Sequence, residues 1–141
     1  MTLRPGILDL TPDECLRLLK AVSVGRVGVT IDALPAVLPV NFVVHDASIV
    51  FRTVPGTKLD AAIAGMVVAF EVDNYGSSRE AWGWSVLVRG VAKEITDRTE
   101  LQRVQSLGME SWALDGTADR YVKIELTIVT GRRIIPPEGI T

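Results

Sequence analysis

Three β-rich runs, residues 26–31, 36–44 and 48–53, follow one another with only short interruptions at Asp32-Ala33 and His45-Asp46-Ala47. Connections that short cannot carry a parallel crossover, which needs a dozen or more residues. The runs must therefore pair antiparallel, as hairpins, although neither connection has the Asn-Gly or Asp-Gly of a two-residue turn. Further along, residues 66–72 are almost unbroken apolar sequence, the pattern of a strand buried on both faces. Residues 84–95 read as a long strand with Gly90 in its middle, a bend or bulge of the kind that closes barrels. Residues 121–129 alternate polar with apolar and form a last strand. Six strands in hairpin-like succession predict an all-β domain with short helices, built as a six-stranded antiparallel barrel.

The helices announce themselves by their caps. Thr11-Pro12-Asp13-Glu14 places a capping threonine, a first-turn proline and a capping-box carboxylate in order, ahead of Cys15, Leu18, Leu19 and Val22. Thr57-Lys58-Leu59-Asp60 repeats the pattern and starts a short helix through Ile63. Asp97 with Glu100 starts a third, carrying Leu101, Val104 and Leu107. Residues 74–81 read as a polar loop. The 141 residues suffice for one domain, 1–141, with its own core, and no linker or repeat divides them.

Charge and cysteine content narrow the function. A net charge of −2 gives no attraction to nucleic acid or an anionic membrane. One cysteine, Cys15, allows neither an internal disulfide nor a multi-thiolate metal site. The beginning MTLRPGILDL lacks the apolar run of a signal peptide, and no stretch is long and apolar enough to span a bilayer, so a cytoplasmic protein is expected. His45 is the single histidine, set at a turn and expected to face solvent. Zinc sites take several His or Cys ligands, so no metal is expected. With no carboxylate pair set for acid/base work, any demanding chemistry falls to a cofactor.

The stretch FRTVPGTKLD, residues 51–60, gathers Arg52, Thr53, Thr57 and Lys58 around one Pro-Gly turn. Arg52 can offer a bidentate fork, Lys58 a point charge, and the threonines their hydroxyls, the donor set that a phosphate takes. Ten residues alone fit a phosphate cradle and a solvated, N-capped turn equally well. One strand upstream, Leu38-Pro39-Val40-Asn41-Phe42 puts a proline inside a strand, which implies an edge with main-chain groups left free for a flat heterocycle.

Taken in order, VGRVGV, LPAVLPVNFVV, IVFRTVPGTKLDA, VAFEVD and WGWSVLVRGVAKEI resemble the pyridoxamine 5′-phosphate oxidase-like flavin-binding proteins, over about residues 10–97, on the side of the nitroimidazole-resistance-type reductases. The TGRRI ending matches more loosely. The resemblance implies a split β-barrel homodimer with FMN in interfacial clefts. It implies that Leu38, Pro39, Val40 and Asn41 touch the flavin ring, that Phe51 and Arg52 flank the ribityl phosphate, and that Thr57 and Lys58 bind it. It further implies that Ser85 reaches the flavin from the partner subunit, with Trp82 and Trp84 able to wall the cleft. Two departures stand out: the true oxidases carry Arg-Lys where this chain has Thr57-Lys58, and their C-terminal Arg and His signature is not visible after Val129. The expectation is an FMN-dependent oxidoreductase that reduces a small organic substrate with electrons from a nicotinamide donor, and not a true pyridoxamine 5′-phosphate oxidase. A non-catalytic flavin store or sensor and a deazaflavin-dependent reductase are the alternatives.

Overall fold

The computed structural model describes residues 6–75, 83–109 and 119–135. Most of the loop expected at 74–81 lies outside them, as does Trp82. In chain order the elements are β1 (Gly6–Asp9), α1 (Pro12–Lys20), β2 (Val24–Ile31), β3 (Leu34–His45), β4 (Ser48–Thr53), α2 (Lys58–Ile63), β5 (Val67–Asn74), β6 (Trp84–Glu94), α3 (Arg98–Gln105), β7 (Arg120–Glu125) and β8 (Ile128–Ile135). Among these, no helix is long and apolar enough to cross a membrane.

Six strands close a ring in the order β6-β5-β2-β3-β4-β7, with β7 pairing back onto β6. The closure depends on β6 serving two neighbours in turn. Its first half, from Trp84 to Arg89, pairs with β8, and its end, from Ala92 to Glu94, pairs with β7. The exchange falls at Gly90, where a Cβ would stand 3.4 Å from Ile124 Cγ2, while the register with β5 runs through it without a bulge. β8 and β1 extend the sheet beyond β6.

Both expected hairpins form on two-residue turns that use no glycine. Asp32 and Ala33 have φ of 52° and 64°, and Asp46 and Ala47 have 46° and 55°. Aspartate tolerates this left-handed region; alanine is held there at some cost by the strands on either side. His45 is thus the last residue of β3, paired with Ser48, rather than part of the turn.

Two expectations need correction, and one strand, β1, was not expected. Residues 121–129 are not one strand: Leu126 and Thr127 turn the chain from β7 into β8, fixed by Leu126 N–H donating to Ala47 O at 2.9 Å. The polar–apolar alternation runs unbroken through that turn and hid it. β1 gave no signal because all four of its residues are exposed. β5 is buried on one face only: Val68, Phe70 and Val72 point into the core, while Val67 is 74% exposed.

The barrel core packs Phe42 against Phe70 edge to face, with centroids 4.8 Å apart, among Val27, Phe51, Val86, Val88 and Ile124. A second cluster, Val50, Ile95, Val104 and Tyr121, seats α3 on the outside of β4 and β7. On the outer surface Arg26 bridges Glu71 and Asp73 at 3.4 and 3.0 Å. Burial, then the Asp73 carboxylate beside it, pushes Glu71 up to about 7.

Candidate functional site

The barrel opens along β3. This strand pairs with β2 over its whole first part, but with β4 only from Phe42 to His45. Phe42 N–H donates to Ser23 O at 3.0 Å, which sets the alternation for the rest of the strand. Val40 and Leu38 turn their amides toward β2; Asn41, Pro39 and Val37 turn theirs to the open side. Pro39 and Pro35 therefore occupy positions where the β2 ladder asks for no N–H, and the strand tolerates both. The next pair in register with β4, Asn41 with Arg52, is not formed. Asn41 N–H and C=O and the Pro39 carbonyl are left facing a gap.

That gap is a cavity of about 440 Å³. Ile31, Leu38, Pro39, Val40 and Asn41 make one wall, and Arg52, Thr53, Val54, Thr57, Lys58 and Leu59 the other, with Asp119 against Arg52. Its size suits a small organic ligand or cofactor. Eight residues singled out from the sequence meet here: Leu38, Pro39, Val40, Asn41, Arg52, Thr53, Thr57 and Lys58. Phe51 does not; it is fully buried in the core. Trp84 and Ser85 lie elsewhere, on β6, opposite Asn74 and Asp73 on one side and Arg133 and Arg132 on the other.

The polar groups have unequal freedom. Arg52 Nε lies 2.8 Å from Asp119 Oδ2, its Nη1 donates to Met109 O, and its guanidinium stands 5.1 Å from the centre of the Tyr121 ring. Thr53, almost fully buried, donates to Asp60 Oδ1 at 2.8 Å. Thr57 caps α2, accepting from Asp60 N–H at 3.2 Å and donating to Val54 O at 2.8 Å. Lys58 touches Asp32 at 3.5 Å, with both side chains 79% exposed, so it can swing to a ligand at little cost. A helix of six residues adds only a weak dipole, and the Lys58 charge has to do most of the attracting.

Asp119 escaped the sequence reading. The signal was in the pairing of β4 with β7, which sets Arg52 opposite Tyr121 and brings Asp119, just ahead of β7, to the cleft. Among the described residues no group of acids, histidines and cysteines could hold a metal ion.

His45 lines a different, smaller cavity of about 200 Å³, with Asp46, Ser48, Glu100, Arg103 and Lys123. Its side chain is only 21% exposed and its Nε2 is 3.3 Å from Asp46 Oδ2. The expectation of a solvent-facing histidine is therefore corrected: α3 packs over the end of the hairpin and encloses it. It remains outside the lining of the main cleft.

Comparison with known proteins bears on this geometry. The sequence model of the pyridoxamine 5′-phosphate oxidase family matches residues 11–133. An uncharacterised protein of Mycobacterium tuberculosis is 41% identical over 134 residues, covering 92% of this chain and 86% of its own. The FAD-binding protein of Mycobacterium smegmatis has a similar structure, with TM-score 0.80 and 36% identity over 92% of this chain and 98% of that one. A FAD-binding protein of Mesorhizobium loti follows at TM-score 0.71 and 27% identity, over 93% of this chain and 98% of its own.

Proposed function

The chain belongs to the pyridoxamine 5′-phosphate oxidase family, and on that premise we propose that it binds a flavin through its FMN moiety and serves as an oxidoreductase. The observation that carries this reading is the cleft itself: apolar walls, an unpaired strand edge along one side and an exposed cation, Lys58, in its lining. A flat ring with polar edges, joined to a phosphate, matches all three. The FMN moiety is common to FMN and FAD, so the neighbours' FAD supports the same placement.

In this reading Ile31, Leu38 and Val40 exclude water from the ring, while Asn41 N–H and C=O and the Pro39 carbonyl meet its polar edge. Lys58 draws in the phosphate, and Arg52, held by Asp119 and Met109, is a fixed donor beside it. The bound flavin supplies the hydride chemistry. Electrons would come from a nicotinamide donor and pass to a small organic substrate.

The reading includes a homodimer. The outer sheet face carries exposed apolar residues, Val37, Val67, Val91 and Ile128, that a single barrel has no need to display. Trp84 and Ser85 sit away from their own cleft, and a second copy is the way for them to reach one. Light scattering checks this, with a dimer mass expected at micromolar concentration.

The experiment for the function has two arms. Titration with FMN, FAD and riboflavin should show flavin fluorescence quenched on binding, and anaerobic NADH or NADPH should then bleach the bound flavin. A non-catalytic flavin store or sensor is the second reading, favoured by one observation: among the described residues no histidine or cysteine lines the cleft, and the carboxylate that does, Asp119, is tied to Arg52. Flavin bound but not turned over with any donor would select it.

A further inference from the structure

The charges lining the cleft do not add up to a site for a doubly charged phosphate. Among the described residues that line it, Arg52 and Lys58 are the cations and Asp119 the anion. The Asp119 side chain is 1% exposed and sits 2.8 Å from Arg52 Nε. With so little water between them, the carboxylate offsets most of the field that Arg52 would offer a ligand. Behind the wall, Asp60 is likewise offset, 3.6 Å from Arg120. Among the described residues Lys58 remains as the cation that no buried carboxylate offsets, its contact with Asp32 being screened by solvent.

The two flavin nucleotides differ in the charge they would bring to this spot. FMN ends in a phosphomonoester, which carries about −1.5 to −2 at pH 7. In FAD the same phosphate is part of a diphosphate; it carries a single charge, and the second sits one phosphate further out. Lys58 is 79% exposed, so the cleft is open at this end and leaves the rest of a dinucleotide free to extend. We propose that Asp119 tunes the cradle to a singly charged phosphate, making it the residue that selects FAD over FMN. The inference rests on the flavin reading above.

The test is a set of dissociation constants for FAD, FMN and riboflavin on the full chain, at pH 8 and at pH 5.5. FAD should bind about tenfold or more tightly than FMN at pH 8. The preference should shrink severalfold at pH 5.5, because a phosphomonoester takes up a proton near pH ~6 and the FAD diphosphate does not. The charged groups facing the cradle are Arg52, Lys58 and Asp119, with Asp32, Asp60 and Arg120 next to them, and no histidine lines it. Adenosine contacts can favour FAD by themselves, so the change in preference, and not its absolute size, reports the charge. Asp119→Asn should strengthen FMN about fivefold or more and leave FAD within about threefold, whereas Asp119→Glu should keep the wild-type preference. Equal or tighter FMN binding at pH 8 would overturn the proposal. So would an unchanged preference at pH 5.5, or a folded Asp119→Asn that loses both flavins equally. If that variant does not fold, the pH comparison on the wild-type chain decides. Failure of every flavin to bind overturns the underlying reading as well, whereas tight flavin binding with no FAD preference overturns this inference alone.

Discussion

The two halves of β3 are one continuous strand with opposite duties. From Phe42 to His45 it is paired with β4, Phe42 also donates to Ser23 O on the other side, and its ring sits 2% exposed in the barrel core. From Leu34 to Asn41 it is bonded only to β2, and its other edge is bare. Both halves are largely apolar, and Pro35, Pro39 and Asn41 mark the open one. What separates them is where β4 stops keeping pace, once the chain reaches Arg52 and heads for the Pro55-Gly56 turn. A sheet that fails to zip for a few residues leaves a bare edge, and Pro35 and Pro39 give up no ladder bond there.

Substitutions on each side should break that comparison in different ways. Phe42→Ala, in the zipped half, should cost about 3–5 kcal/mol of stability by leaving a cavity against Phe70, read by denaturant unfolding. Lys58→Ala, across from the open half, should leave stability unchanged and weaken phosphate-bearing flavins roughly 10- to 150-fold, the loss of one charge-assisted hydrogen bond. Riboflavin should barely notice it; equal losses for riboflavin and the nucleotides would make Lys58 a structural residue. Pro39→Ala restores an N–H that points into the gap, so it should change stability by less than ~1 kcal/mol, and a larger loss would mean that the edge is not free. Smallest of all, His45→Ala should leave flavin affinity and any reductase rate within about threefold, under ~1 kcal/mol. A hundredfold fall in rate with flavin still bound would move the chemistry to the closed end of the hairpin.

The sequence carried the hairpins plainly, because Asp32-Ala33 and Asp46-Ala47 leave too few residues for any other connection. It carried the capped helices for a similar reason: Thr11 and Glu14 complete both bonds of a capping box. Pro39 beside Asn41 pointed to the open edge, and Thr57-Lys58 to the cationic end. Three things were hidden, each for a physical cause. The break between β7 and β8 at Leu126 was masked by an alternation that continues across it. The half-exposed state of β5 was masked because Val67 has the same chemistry whether its own core covers it or nothing in the chain does. The pairing of Arg52 with Asp119 depends on β7 lying beside β4, a contact between distant stretches that no local pattern encodes.

The central claim is that the unzipped edge of β3 is where a flavin binds, and amide hydrogen exchange tests it residue by residue. Without ligand, the Asn41 and Val37 N–H groups should exchange fast, and Val43, bonded to β4, slowly. Saturating FAD should slow Asn41 sharply, leaving His45 and Ser48 at the smaller cavity as they were. Protection that appeared around His45 while Asn41 still exchanged freely would contradict the account and move the ligand to the other end of the strand.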